Sequence, residues 1–190
     1  YETCREKGIN IYQYLDEMAC NAESDLLVLP HFTGGGPPYM DDGSRGMICG
    51  MSLNTTLQQI YRAFMEGISF EMRNNLDELA DKGTRIHKLR ACGGGANSKV
   101  WLQMQSDIFG IPIEQLRTSE AGTLGCAAIC GKALGYFKNL QDGVSVYLGI
   151  GETYMPNPEK KEYYNKKYIQ YKQMYRAGRL IRNVTGERRN

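Results

Sequence analysis

The feature that most limits what this chain can fold into is the run Leu89-Arg90-Ala91-Cys92-Gly93-Gly94-Gly95-Ala96-Asn97-Ser98. Ile86 to Ala91 alternates apolar and polar residues as a strand does. Three glycines follow at once, and then Asn97-Ser98, residue types that cap helices. Val100, Trp101, Met104 and Ile108 recur beyond them at helical spacing. The pattern predicts strand, glycine turn, helix. Glycine lets a backbone take positive φ and lets a ligand come close. The free N–H groups of the next helix, and the positive end of its dipole, face the same place. That geometry suits a phosphate or the sugar-phosphate part of a nucleotide. Local sequence leaves a second reading open, a tight turn with no ligand, because the G-x-G-x-x-G fingerprint fails at Ser98.

The rest of the chain alternates in the same way. Residues 8 to 20 read as a helix, Asp25 to Pro30 as a buried strand, His31 to Ser44 as a glycine- and proline-rich loop, and Gly46 to Ser52 as a strand. Thr55 or Thr56 then caps a long helix reaching about Ala80, with a stripe from Leu57 through Phe64 and Ile68 to Leu79. Gly83 ends it. After the glycine turn and its helix, Ile111 to Ile113 reads as a short strand, and residues 120 to 136 as a helix with Ala121, Gly122, Gly125, Ala127, Ala128 and Gly131 along one side. Gly125 to Lys132 is no P-loop: its spacing is one residue too long, Ala133 replaces Ser/Thr, and it lies inside a helix. Residues 159 to 177 form a last helix with Tyr164, Tyr168, Tyr171 and Tyr175 on one face and lysines on the others. That stripe fits docking through the tyrosines better than a nucleic-acid surface. Residues 1–178 are expected to form the domain, and 179–190 a flexible basic tail.

Charge is unevenly placed. Residues 159 to 190 hold ten Lys/Arg against three Asp/Glu, and the remainder thirteen against eighteen. None of the six cysteines forms C-x-x-C, and neither His31 nor His87 stands near a cysteine pair, so no metal site is predicted. Buried, reduced thiols are expected. No apolar run is long enough to span a membrane and no leader opens the chain, so no membrane partner and a cytoplasmic setting are expected.

Several separate motifs, in order, resemble the C-terminal half of the FGGY carbohydrate kinases, the family of xylulokinase and glycerol kinase. Gly46-Met47-Ile48-Cys49-Gly50-Met51, Gln59-Ile60 and Ala63-Phe64-Met65-Glu66-Gly67 nearly reproduce one family signature, with Phe64 where a smaller residue is usual. Gly93 to Ser98, with Trp101, Gln103, Asp107 and Gly110-Ile111-Pro112, is similar to the family's adenosine-binding segment. Glu120 to Ala128 resembles the small-residue helix that follows it.

The resemblance implies an α/β, actin-like (ribonuclease H-like) domain, the C-terminal half of a two-domain sugar kinase. It implies ATP and Mg2+ as cofactors, a small sugar or polyol as acceptor, an N-terminal kinase domain as partner, and a homodimer as one allowed assembly; the docking stripe adds the expectation of no nucleic-acid partner. Carried over, Gly93, Gly94 and Gly95 pass close to the nucleotide, with Gly94 the first choice, and Asn97 and Ser98 lie near its adenine end. The catalytic aspartate and the phosphate loop are expected upstream, so no catalytic residue is assigned in this chain. The family's Gly-Glu-Arg-Thr-Pro loop is here Gly34-Gly35-Gly36-Pro37-Pro38, which lacks the charged pair. The alternative reading is a non-catalytic α/β interaction module with a basic C-terminal helix.

Overall fold

The computed structural model describes residues 2–147 and 149–184. In chain order these give α1 (Glu2–Glu6), α2 (Ile11–Cys20), β1 (Leu27–Leu29), β2 (Met47–Cys49), α3 (Leu57–Asp81), β3 (Leu89–Ala91), α4 (Lys99–Phe109), β4 (Ile113–Leu116), α5 (Ala121–Ala133), α6 (Leu140–Tyr147), β5 (Ile150–Tyr154) and α7 (Lys161–Val184). Short 3-10 turns at Gly94–Asn97 and Pro158–Lys160 lead into α4 and α7. β1 and β2 pair antiparallel. β4 lies between β3, its parallel neighbour, and β5, which runs antiparallel to it.

α3 is the spine. Its start is fixed by a capping box: Thr56 Oγ1 accepts from the Gln59 amide at 3.3 Å, and Gln59 Oε1 accepts from the Thr56 amide at 3.0 Å. One side of it meets β1 so closely that a Cβ on Gly67 would stand 2.3 Å from the Val28 carbonyl oxygen. Another side meets α7, where Phe70 lies 5.4–6.3 Å from the rings of Tyr164, Tyr168 and Tyr171.

Those three tyrosines are 2%, 3% and 0% exposed, so the stripe is a docking face. Each phenol has a polar partner: Tyr164 accepts from Arg62 at 3.2 Å, Tyr168 donates to Asp77 at 2.7 Å, and Tyr171 donates to Glu71. Burial, with the nearby carboxylates adding to it, holds all three phenols well above their ordinary pKa, as neutral groups. Tyr175 sits half-buried, stacked on Tyr39 at 3.8 Å.

Lys161, Lys166 and Lys172 are exposed as expected, but Lys167 is only 5% exposed. It lies three residues after Tyr164 and so shares the docked side. Its ammonium meets Glu66 at 2.5 Å and the Ser24 carbonyl, while Arg62 holds the other Glu66 oxygen at 2.9 Å. A buried lysine is tolerable because that carboxylate is buried with it.

Element boundaries differ from the sequence reading where pairing and packing decide them. β3 is only Leu89–Ala91, the part that pairs with β4. β4 begins two residues later than expected, because Pro112 has no N–H and serves the sheet through its carbonyl, which accepts from Leu89 at 3.0 Å. α7 does not stop at Gly178: a Cβ there would meet Met47 Sδ at 3.0 Å, so this glycine serves a close crossing over β2. The helix continues through Val184, and Arg182 pairs with Asp41 at 2.7 Å. The expected tail therefore starts as helix, and 185–190 fall outside the described residues. α1, α6 and β5 carry no pattern that announces them. The cysteines correct another expectation: Cys20, Cys49, Cys92, Cys126 and Cys130 are free but exposed. α5 packs mainly against α6, which leaves its outer side open.

Candidate functional site

Parallel β3 and β4 end side by side, Ala91 opposite Gln115, and each is followed by a turn and a helix. The N-termini of α4 and α5 are thus brought to one edge, beyond the carboxyl ends of the parallel strands, the place where open α/β sheets bind ligands. Both helix dipoles favour negative charge there. At this edge Ser98 is the N-cap of α4, its Oγ accepting from the Trp101 amide at 3.0 Å. Glu120 precedes α5 without capping it through its side chain.

The three glycines stand in different surroundings. Gly93 alone has positive φ, at 87°, where the chain leaves β3, so the conformational freedom expected of the glycine turn is used there and not at Gly94. At Gly93 and Gly94 a Cβ would meet nothing within 4 Å, so this face of the turn is open. At Gly95 it would touch the Trp101 ring at 3.1 Å. Asn97, in the 3-10 turn, is exposed and caps nothing; Ser98 does the capping.

Two residues that the sequence reading gave no such part hold the turn in place. Trp101 lies against Gly95, and its indole N–H reaches Ser69 Oγ at 3.0 Å and the Met65 carbonyl at 3.2 Å, which ties the turn to α3. Gln115 donates from Nε2 to the Ala96 carbonyl at 2.7 Å. The signal for Gln115 was a polar residue two positions after the buried Ile113, on the same face of a strand. Lys99, the first residue of α4, pairs with Glu152 at 2.5 Å, and Tyr154 donates to that carboxylate at 2.8 Å. The Lys99 bond draws the Glu152 carboxyl below its ordinary pKa, and burial, reinforced by Glu152, pushes the Tyr154 phenol up to about 12.

Two clefts lie elsewhere. One of about 610 Å³ runs along α2 and the start of α3, past Tyr14, Asn21 and Thr56, and a second of about 330 Å³ is lined by Cys4, Ile9 and Leu57. Among the described residues no group of three or more His, Cys, Asp or Glu side chains could hold a metal ion, and no helix is long and apolar enough to cross a membrane.

Residues 6–134 match the C-terminal domain of the FGGY family of carbohydrate kinases. The chain belongs to that family. Among FGGY relatives, it is 31% identical over 156 residues to a xylulose kinase of Staphylococcus epidermidis, covering 82% of this chain and 32% of that one. With a glycerol kinase of Photorhabdus laumondii the identity is 40% over 148 residues, covering 77% and 29%. A ligand-bound xylulose kinase from Lactobacillus acidophilus superposes with a TM-score of 0.76 at 26% identity, over 87% of this chain and 34% of that one. The chain thus spans about a third of the length of these relatives. The fold is the actin-like α/β domain that the motifs implied. In this FGGY domain the signature residues are structural: Gln59 closes the capping box, Gly67 admits β1, Glu66 anchors Lys167, and Phe64 stacks on Phe32 at 5.8 Å.

Proposed function

We propose that this chain is the nucleotide-binding C-terminal portion of an ATP-dependent carbohydrate kinase, which transfers the ATP γ-phosphoryl group to a hydroxyl of a small sugar or polyol in the cytoplasm. One observation carries the reading: the turn at Gly93 and Gly94 is open, and it lies at the carboxyl end of a parallel strand pair whose two strands lead into α4 and α5. Backbone donors and helix dipoles at that edge suit the anionic and sugar parts of a nucleotide. Gly93 and Gly94 let it approach, Gly95 packs on Trp101, and Asn97 and Ser98 border its adenine end. Mg2+ would neutralise charge on the phosphates, and no described group of side chains here is built to hold it. The catalytic carboxylate and the phosphate loop belong to an N-terminal kinase domain, which closes over this edge and excludes water.

Gly94→Val in the full-length kinase tests the site. A Cβ at Gly94 meets no protein atom within 4 Å, so the substitution reports on the ligand rather than on folding. The KM for ATP should rise by about ten-fold or more, the scale of a lost 1.4 kcal/mol contact, while the acceptor's KM stays unchanged. The 190-residue chain alone should phosphorylate none of a panel of pentuloses, hexuloses and polyols. An unchanged KM for ATP would remove the turn from the nucleotide site, and turnover by the chain alone would place the catalytic residues here.

A further inference from the structure

We propose that Gln115 is a positioning residue for the nucleotide turn, acting through the Ala96 carbonyl; this rests on the reading of that turn given above. Gln115 stands opposite Ala91, the last residue of β3. Cys92 and Gly93 follow at once, so Gln115 is the β4 residue beside the point where the chain leaves the sheet. Along β4, Ile113 is buried in the cluster with Leu102 and Tyr154, and Leu89 and Ala91 of β3 pack against it. Glu114 points the other way, to Lys88 and Arg90. Alternation returns Gln115 to the side of the strand that carries Ile113, where it is half-buried. An amide there is costly unless it is bonded. Its Nε2 meets that need at the Ala96 carbonyl, 2.7 Å away.

The strands around it make room for this bond. The register between β4 and β5 shifts between Glu114 and Leu116, an irregularity of the kind that re-aims a side chain. On β5, a Cβ at Gly151 would stand 3.3 Å from the Gln115 carbonyl and 3.7 Å from its Oε1. What the bond fixes follows from the planarity of the peptide unit. The Ala96 carbonyl and the Asn97 nitrogen share one plane, so holding that carbonyl toward β4 sets where Asn97 leaves the turn. Ala96 itself is 6% exposed, and its N–H is bonded to the Gly93 carbonyl at 3.1 Å. Trp101 holds the turn from the α3 side, and Gln115 holds it from the sheet.

Kinetics of the full-length kinase test the assignment. Gln115→Glu keeps the size of the side chain and removes the donor. Its KM for ATP should rise about three- to ten-fold, the range of one lost neutral hydrogen bond, with kcat and the acceptor's KM unchanged. Gln115→Lys, which restores a donor, should recover most of that loss. If Gln115→Glu leaves the KM for ATP unchanged while Gly94→Val raises it, the turn binds nucleotide without Gln115 and this proposal fails alone. If neither variant moves the KM for ATP, the nucleotide reading of the turn fails and takes the proposal with it. A fall in melting temperature with kcat and both KM values altered together would make Gln115 a general stabiliser and overturn its positioning role.

Discussion

The α3–α7 side and the β4–α5 edge of this domain are built on opposite terms. Between α3 and α7, aromatic rings meet at 5.4–6.3 Å and a buried carboxylate joins the buried Lys167 to the half-buried Arg62. At the other edge Gly93, Gly94, Gly122 and Gly125 face open space, and Cys126 and Cys130 are exposed. In the first region the tyrosines, Phe70 and the Glu66 carboxylate are occupied by internal partners, as in a scaffold. The second leaves the glycine turn and the glycines of α5 uncovered, as a surface that admits something else does. Small residues mean different things in the two places: Gly67 is filled by a neighbouring backbone, and Gly125 by nothing.

Breaking the buried network should have the largest effect. Glu66→Gln leaves Lys167 and Arg62 without their shared carboxylate, and an unpaired buried charge such as that of Lys167 costs about 3–5 kcal/mol. Urea unfolding should show this as a lower midpoint at unchanged slope. A loss below about 1 kcal/mol, the scale of a surface pair, would mean that the network is not desolvated. The two glycines sharpen the contrast. Gly67→Ala forces β1 away from α3 and should cost about 1–3 kcal/mol, the usual range for overpacking. Gly125→Ala, inside α5 and in open space, should stabilise by about 0.5–1 kcal/mol through helix propensity. Equal effects from the two would erase the distinction between filled and open positions.

What the sequence displayed was whatever is carried by neighbours in the chain. Thr56 with Gln59 and Ser98 before Trp101 are local caps, and both start helices where the pattern placed them. The tyrosine stripe is a local repeat, and it docks. What stayed hidden depends on partners far along the chain. Lys167 looks like any solvated lysine until Glu66, 101 residues away, is placed beside it. Gly178 looks like a helix stop until β2 is found beneath it. Gln115 looks like an ordinary strand residue until the turn at Ala96 closes over it. The position of positive φ among three consecutive glycines was hidden for a related reason: it falls on Gly93, where the chain must leave the sheet, and glycine type alone does not distinguish the three.

The claim that the open edge is a nucleotide surface and the α3–α7 side its scaffold is tested most directly by amide hydrogen exchange of the full-length kinase with and without ADP. The account predicts slower exchange over Cys92 to Trp101 and at the start of α5, with Leu57–Asp81 and Lys161–Val184 unchanged. Exchange over Cys92 to Trp101 that ADP leaves untouched, with protection confined to the α3–α7 side, would contradict it.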